Sequence, residues 1–228
     1  CKITNLDVRY ESFPSKGEMY SASLFYKYFD SPIEQRFFST GAGSQTRTYK
    51  NYDRGTLYGA EVEFRRSLQN MLTNSSAPIV KNTSLYGNLA YMVSNVDFTI
   101  SEVEYRRPMQ GQSSYVINLG TTYNANKLGL VTSLNYNRIG PRIAMVGDNT
   151  EATLWEKPRD VLDIVLSKSI NKKLDLRFTA SDLLSQDFIL YQNDLAGTIR
   201  KYTPNQSFRF ATLQAGRNFS LSCTYKFD

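Results

Sequence analysis

The stretch Phe219-Ser220-Leu221-Ser222-Cys223-Thr224-Tyr225-Lys226-Phe227 decides the fold. Every odd position is apolar or aromatic. The even positions Ser220, Ser222, Thr224 and Lys226 are polar. A period of two places successive side chains on opposite faces, so this is a strand with one apolar and one wet face. Cys223 falls on the apolar stripe and reads as a small apolar residue.

The same pattern recurs upstream. Leu6, Val8 and Tyr10 alternate with Asp7, Arg9 and Glu11. Tyr20, Ala22, Leu24, Tyr26 and Tyr28 mark a second strand from Glu18 to about Phe29. Between Leu57 and Leu68, Tyr58, Ala60, Val62 and Phe64 alternate with Gly59, Glu61, Glu63 and Arg65. Further stripes are Leu85, Leu89 and Tyr91; Tyr115, Ile117, Leu119, Thr121 and Tyr123; Leu130, Thr132, Leu134 and Tyr136. Leu162, Ile164 and Leu166, then Leu174, Leu176, Phe178 and Ala180, complete nine predicted strands.

The connections alternate in length. Short ones are Pro14-Ser15-Lys16-Gly17, a stretch of middling length at Gln69 to Asn82, Asn124-Ala125-Asn126-Lys127, and Asn171-Lys172-Lys173. Long polar ones run from about Asp30 to Arg54, Ser94 to Gln112, Ile139 to Pro158, and Leu183 to Ser207. A soluble sandwich has no reason to sort its loops by parity. An up-and-down membrane barrel does so, with short turns on the periplasmic side and long loops outside. About 10 residues per strand, at roughly 3.3 Å each and tilted near 40°, cover about 25 Å, the apolar band of an outer membrane. Tyr10, Tyr28, Tyr58, Tyr115, Tyr123, Tyr136 and Tyr225 recur near strand ends, as aromatic girdles would.

The expected fold is therefore all-β: an antiparallel up-and-down transmembrane β-barrel. Bacterial single-chain barrels have even strand counts. Nine strands, with the last ending on the periplasmic side, make residues 1–228 the C-terminal segment of a larger barrel. On this reading Tyr58, Val62, Phe64, Leu119, Leu134, Ile164, Leu176 and Leu221 point to lipid. Glu61, Glu63, Arg65, Asn118 and Arg177 point to the lumen. The start, Cys1-Lys2-Ile3-Thr4-Asn5, shows no signal-peptide core, so a mature chain or an internal fragment is expected. Cys1 is a lipoprotein anchor in the first case and a cut end in the second. No run reaches 18 apolar residues, so no spanning helix is predicted.

Composition narrows the chemistry. There is no His among the 228 residues, which removes the commonest general base and zinc ligand. The net charge of +6 comes from basic residues scattered singly, without a nucleic-acid-binding motif. Glu61 and Glu63 share a face, as paired catalytic carboxylates would, but Arg65 continues the row and makes it polar barrel interior. Gly41-Ala42-Gly43-Ser44 lacks the Gly-Lys-Ser/Thr of a phosphate loop and reads as a loop tip. Asp148, Glu151 and Glu156 beside Trp155 do not have EF-hand spacing and read as a solvated loop. Asn74-Ser75-Ser76 fits the glycosylation pattern weakly. No catalytic, cofactor or metal residues are expected, and the chain is read as not an enzyme.

Several stretches resemble TonB-dependent outer-membrane receptors, in family order and over essentially the whole chain: Asn5-Leu6-Asp7-Val8-Arg9-Tyr10-Glu11, Tyr20-Ser21-Ala22-Ser23-Leu24-Phe25-Tyr26-Lys27 followed by Pro32-Ile33-Glu34, and Tyr58-Gly59-Ala60-Glu61-Val62-Glu63-Phe64-Arg65. Gln110-Gly111-Gln112-Ser113-Ser114-Tyr115-Val116-Ile117-Asn118 and Tyr136-Asn137-Arg138-Ile139-Gly140-Pro141-Arg142-Ile143 match as well. The resemblance implies a 22-stranded barrel in the Gram-negative outer membrane, with an N-terminal plug that this segment lacks. It implies import of a scarce large ligand (siderophore, cobalamin, glycan or peptide) on energy passed from the TonB complex through that absent part. The ligand contacts then come from plug and outer loops. The implied partners are outer-membrane lipid and the barrel-assembly machinery, with no nucleic acid. The closing strand resembles the insertion signal of such barrels, carried here by Phe219, Leu221, Tyr225 and Phe227, although Asp228 follows the last Phe. A passive porin-type barrel and a soluble β-sandwich binding module are the alternatives.

If the closing strand is read by the assembly machinery, Phe227→Ala lowers the outer-membrane abundance of the full-length protein. Ser222→Ala leaves it nearly unchanged. Immunoblots of surface-exposed protein check this; equal abundance for the two variants removes the role of the C-terminal aromatic.

Overall fold

The computed structural model describes residues 1–40, 45–100, 103–147, 151–193 and 207–227. In chain order the strands are β1 (Lys2–Ser12), β2 (Met19–Asp30), β3 (Ile33–Ser39), β4 (Gln45–Asn51), β5 (Arg54–Ser67), β6 (Thr83–Ile100), β7 (Val103–Arg107) and β8 (Tyr115–Ala125). They continue as β9 (Leu130–Ile139), β10 (Arg142–Met145), β11 (Leu154–Glu156), β12 (Arg159–Ser169), β13 (Leu174–Ser181), β14 (Phe188–Asn193), β15 (Ser207–Leu213) and β16 (Asn218–Tyr225). One-turn helices α1 (Leu68–Met71) and α2 (Pro78–Lys81) sit in the middling connection.

The main sheet is an antiparallel meander in the order β1-β2-β5-β6-β8-β9-β12-β13-β16, with β7 folded back on β6. These nine strands are the nine stripes of the sequence. Directly opposed residues in an antiparallel pair share a face, so the register shows how the stripes align. Tyr10, Ala22, Val62, Leu89 and Ile117 form one row across β1, β2, β5, β6 and β8. Leu119, Tyr136 and Leu162 continue that face, as do Leu166, Phe178 and Leu221. All nine apolar stripes thus lie on one side. The opposite side carries the row Glu11, Ser21, Glu63, Asn88, Asn118 and Asn137.

On β2 and β5 exposure runs opposite to that of a soluble sheet. On β2 the apolar-face residues Ala22, Leu24, Tyr26 and Tyr28 are exposed, Leu24 to 64%, while Ser21 on the polar face is buried at 7%. Val62, Leu119 and Leu134 are likewise exposed. β1 and β16, the two ends of the meander, are exposed nearly throughout.

Glycines let large rings lie flat on the sheet. Tyr86 on β6 faces Gly120 on β8, which faces Asn135 on β9. A Cβ on Gly120 would fall inside the Tyr86 ring. The ring crosses the bare glycine and its hydroxyl donates to Asn135 Oδ1 at 2.5 Å, tying three strands. On the other face Gly87 is covered by Phe64 and Leu119, which a Cβ would meet at 3.0 and 2.7 Å.

The long connections differ from the sequence expectation. They are not plain polar loops. β3 and β4 pair as a hairpin within the Asp30–Arg54 connection. β6 runs on to Ile100, well beyond the stripe ending at Tyr91, and β7 pairs with its extension. β10, β11, β14 and β15 from the last two long connections form a four-stranded sheet of their own. These segments bury both faces against one another in places, which erases the alternation that marks a half-exposed strand. The middling connection also contains α1 and α2 rather than a bare turn. Gly41-Ala42-Gly43-Ser44 and Asp148 lie outside the described residues.

Gly120→Val displaces the Tyr86 ring and breaks its bond to Asn135. Overpacking of this kind costs about 1–3 kcal/mol. Gly216→Val, where nothing lies within 4 Å of a new Cβ, serves as the control. Urea midpoints of the folded full-length protein should fall for Gly120→Val and hold for Gly216→Val.

Candidate functional site

Two regions bring polar chemistry together. The first is the polar face of the main sheet. Asn137 Nδ2 donates to Asn118 Oδ1 at 2.6 Å, and Asn118 Nδ2 donates to Asn88 Oδ1 at 2.7 Å. Asn88 Nδ2 donates in turn to Glu61. This ladder of side-chain amides crosses β9, β8, β6 and β5. Beside it Arg9 Nη2 pairs with Glu63 at 3.0 Å, and Arg9 Nε with Glu11 at 2.6 Å. Arg65 stacks over the Tyr86 ring at 6.0 Å. Arg177 lies on the same face, opposite Ser167 and Ser222.

Register therefore puts Glu61, Glu63, Arg65, Asn118 and Arg177 on one side. It puts Tyr58, Val62, Phe64, Leu119, Leu134, Ile164, Leu176 and Leu221 on the other. Phe219 and Tyr225 share the side of Leu221, and Phe227 extends past β16 with its ring edge-on to Tyr225 at 4.9 Å. Glu61 accepts from Asn88 and Glu63 from Arg9, so each carboxylate has a side-chain donor from a neighbouring element of the sheet.

Toward the long-connection end the apolar face becomes charged. Lys2, Asp30, Arg54, Asp97 and Arg106 oppose one another in one row and alternate in sign. Asp97 accepts from Arg54 Nε at 2.6 Å and from Arg106 Nε at 2.7 Å. On that face Tyr28 sits next to Asp30 along β2, and Thr56 and then Tyr58 follow Arg54 along β5. A cleft of about 270 Å³ opens beside the row, lined by Tyr28, Asp53, Arg54, Asp97, Phe98 and Thr99. Farther round, Arg138 Nη1 donates to both Asp160 oxygens at 2.7 and 2.8 Å, and the Tyr136 hydroxyl donates to Asp160 at 2.6 Å.

The second region is where the long connections meet, and sequence reasoning missed it. Glu34 on β3 and Arg107 at the end of β7 form an ion pair at 2.5 Å, with side chains only 4% and 2% exposed. The guanidinium packs beside an edge-to-face pair of rings, 4.7 Å from the centroid of Tyr52 and 5.4 Å from that of Phe98. The other Glu34 oxygen accepts from the Gln110 backbone N–H at 2.7 Å. The Gln110 side chain accepts from Gln35 N–H at 2.7 Å and donates to Ala144 C=O at 2.9 Å. Around this box Tyr52, Val96, Phe98, Ile143, Val146 and Trp155 form a buried apolar cluster, with Met109 against it. Glu34 and Arg107 are 73 positions apart, and neither stands out in its own segment. Trp155 belongs to this core; of the two carboxylates weighed with Asp148 as a calcium site, Glu156 pairs with Arg142 at 2.8 Å and Glu151 accepts from Gln192 Nε2 at 3.3 Å.

The model of the TonB-dependent receptor-like β-barrel family matches residues 2–183. The chain belongs to that family. No curated protein matches the sequence. Among solved structures it is similar to the copper transporter OprC, with a TM-score of 0.63 at 14% identity, over 99% of this chain and 31% of that one. It is also similar to the FrpB iron transporter from Neisseria meningitidis, with a TM-score of 0.59 at 8% identity, over 99% of this chain and 30% of that one. The chain therefore spans about a third of the length of these proteins, and the likeness is one of fold.

Arg107→Met leaves the Glu34 carboxylate buried without its cation, which costs about 3–5 kcal/mol when a buried pair is broken from one side. Glu34→Leu together with Arg107→Met removes both charges and should recover most of the loss. Urea midpoints of the full-length protein in detergent check the difference; equal midpoints for the single and double variants would exclude an unpaired buried charge.

Proposed function

We propose that this chain is the C-terminal part of the barrel of a TonB-dependent receptor in the Gram-negative outer membrane. The whole protein imports a scarce, large ligand into the periplasm. The plug, the TonB-contacting segment and the remaining strands belong to the rest of that protein. On this reading the apolar face of the main sheet meets lipid and the polar face lines the lumen, so Tyr58, Val62, Phe64, Leu119, Leu134, Ile164, Leu176 and Leu221 contact lipid. Glu61, Glu63, Arg65, Asn118 and Arg177 face the lumen. The long connections lie outside the cell. The barrel-assembly machinery inserts the chain by its closing strand.

The observation that carries the reading is the inverted exposure of the sheet. On β2 and β5 apolar side chains such as Leu24, Tyr58 and Val62 are turned outward, while Ser21, Ser23, Glu61 and Glu63 on the opposite face are more sheltered. In water such a face would cover far more than the apolar patch a soluble protein tolerates. In lipid it costs nothing, provided every backbone group of the strands is paired. The meander pairs its seven interior strands on both sides and leaves β1 and β16 each with one neighbour, which is what a sector of a closed barrel requires. The charged row ending at Arg106, beside the tyrosines, suits the boundary between hydrocarbon and headgroups. The copper and iron named for the similar structures are metals, and a metal or metal–chelate cargo is one class of ligand to try first.

Uptake by cells with and without the full-length protein tests the function. Import should saturate at low ligand concentration and disappear when TonB is removed. Flux that rises linearly with concentration and ignores TonB would indicate a passive pore instead. For the faces, Leu134→Arg should destabilise the folded barrel by roughly 2–4 kcal/mol if Leu134 lies at the bilayer midplane, and Asn118→Arg by much less. Urea titration in lipid vesicles measures both; equal costs would contradict the face assignment.

A further inference from the structure

We propose that β3, the segment from Arg107 to Gln112, and β10 with Val146 form one rigid body, latched by Glu34 and Arg107, and that these three segments move together. The inference stands on the loop geometry and holds whichever face of the sheet meets lipid.

Three connections enter the latch. β3 supplies Glu34, the segment from Arg107 to Gln112 supplies the cation and Gln110, and β10 with Val146 supplies the third wall. Their backbones are bonded to each other as well as to themselves. Phe37 N–H donates to Val146 C=O at 3.0 Å, Val146 N–H donates to Gln35 C=O at 3.4 Å, and Gly111 N–H donates to Ile143 C=O at 2.9 Å. Two short parallel bridges result, Arg36 with Val146 and Gln110 with Ile143. The first joins the β3–β4 hairpin, and the second the segment from Arg107 to Gln112, to the β10 edge of the four-stranded sheet. Gln110 touches all three segments, since its backbone and both ends of its side chain bond Glu34, Gln35 and Ala144.

The energetics make this arrangement all-or-none. A buried carboxylate and guanidinium are tolerable only while they face each other; separating one from the other in a dry box leaves two uncompensated charges. No single connection can lift away while the rest stays, because each holds a partner that the others need. Opening must either expose both charges to water at once or not occur. The strain-free way to do that is to move the whole platform on the strand ends below it. A conformational change at one connection is thereby imposed on the others, without any ligand touching all of them.

Native-state hydrogen exchange of the full-length protein in lipid nanodiscs tests the coupling. In wild type, under mild urea, the amides of Phe37, Gly111 and Val146 should merge into one opening with one urea slope. Three different slopes would overturn the proposal, and that arm needs no variant. In Arg107→Gln the same three amides should accelerate by a common factor, on the order of 10²–10³ for a broken buried pair. Amides of Leu119 and Leu134 in the main sheet should keep their wild-type rates. Acceleration of Gly111 alone, with Phe37 and Val146 unchanged, would show that the segments move separately.

Discussion

Everything in this chain depends on a period-two alternation kept in register across nine hydrogen-bonded strands. Slipping one strand by a single residue would move its whole apolar stripe to the polar side. The register instead holds from Tyr10 to Leu221, so one continuous apolar surface and one continuous polar surface emerge from nine separate sequence patterns. Tyr86 lying over Gly120, and Phe64 over Gly87, pin that register from both faces. The glycines are the positions where a ring can lie flat against the backbone.

The same alternation explains what could be read from the sequence. Val62 and Glu61 are neighbours in the chain, yet their separation onto opposite faces follows from parity alone. So does the shared face of Leu134 and Ile164, which are 30 residues apart but directly opposed. The long connections were opaque for the converse reason. β11 buries Leu154 and Trp155 on opposite faces, and β10 is only four residues long with Ile143 alone buried, so no stripe marks them. The Glu34–Arg107 pair had no signature at all, since a Glu in a polar loop and an Arg in another look like solvated charges until the chain brings them into one aromatic box. The resemblance to TonB-dependent receptors, carried by stretches such as Gln110 to Asn118, agrees with the family match over residues 2–183.

The two halves of the structure solve different problems. The main sheet has no interior of its own to bury; we read its apolar side as solvated by lipid and its polar side as knit by the Glu61–Asn88–Asn118–Asn137 ladder. The long-connection end does have a core, built on Trp155, Phe98 and Ile143 around a charge pair. On that reading, hydrocarbon on one side of the boundary and water on the other would account for the change in strategy, and the charged row from Lys2 to Arg106, ion-paired at Arg54, Asp97 and Arg106, would lie where the two meet.

The central claim is that the apolar face of the main sheet meets lipid. It is tested most directly by placing nitroxide labels one at a time along β9, from Leu130 to Ile139, in the full-length protein reconstituted in vesicles. The account predicts that accessibility to oxygen and to a water-soluble nickel reagent alternates with a period of two. Labels at Thr132, Leu134 and Tyr136 should favour oxygen, and labels at Val131, Ser133 and Asn135 the aqueous reagent. A profile without alternation, or with the two sets exchanged, would contradict it.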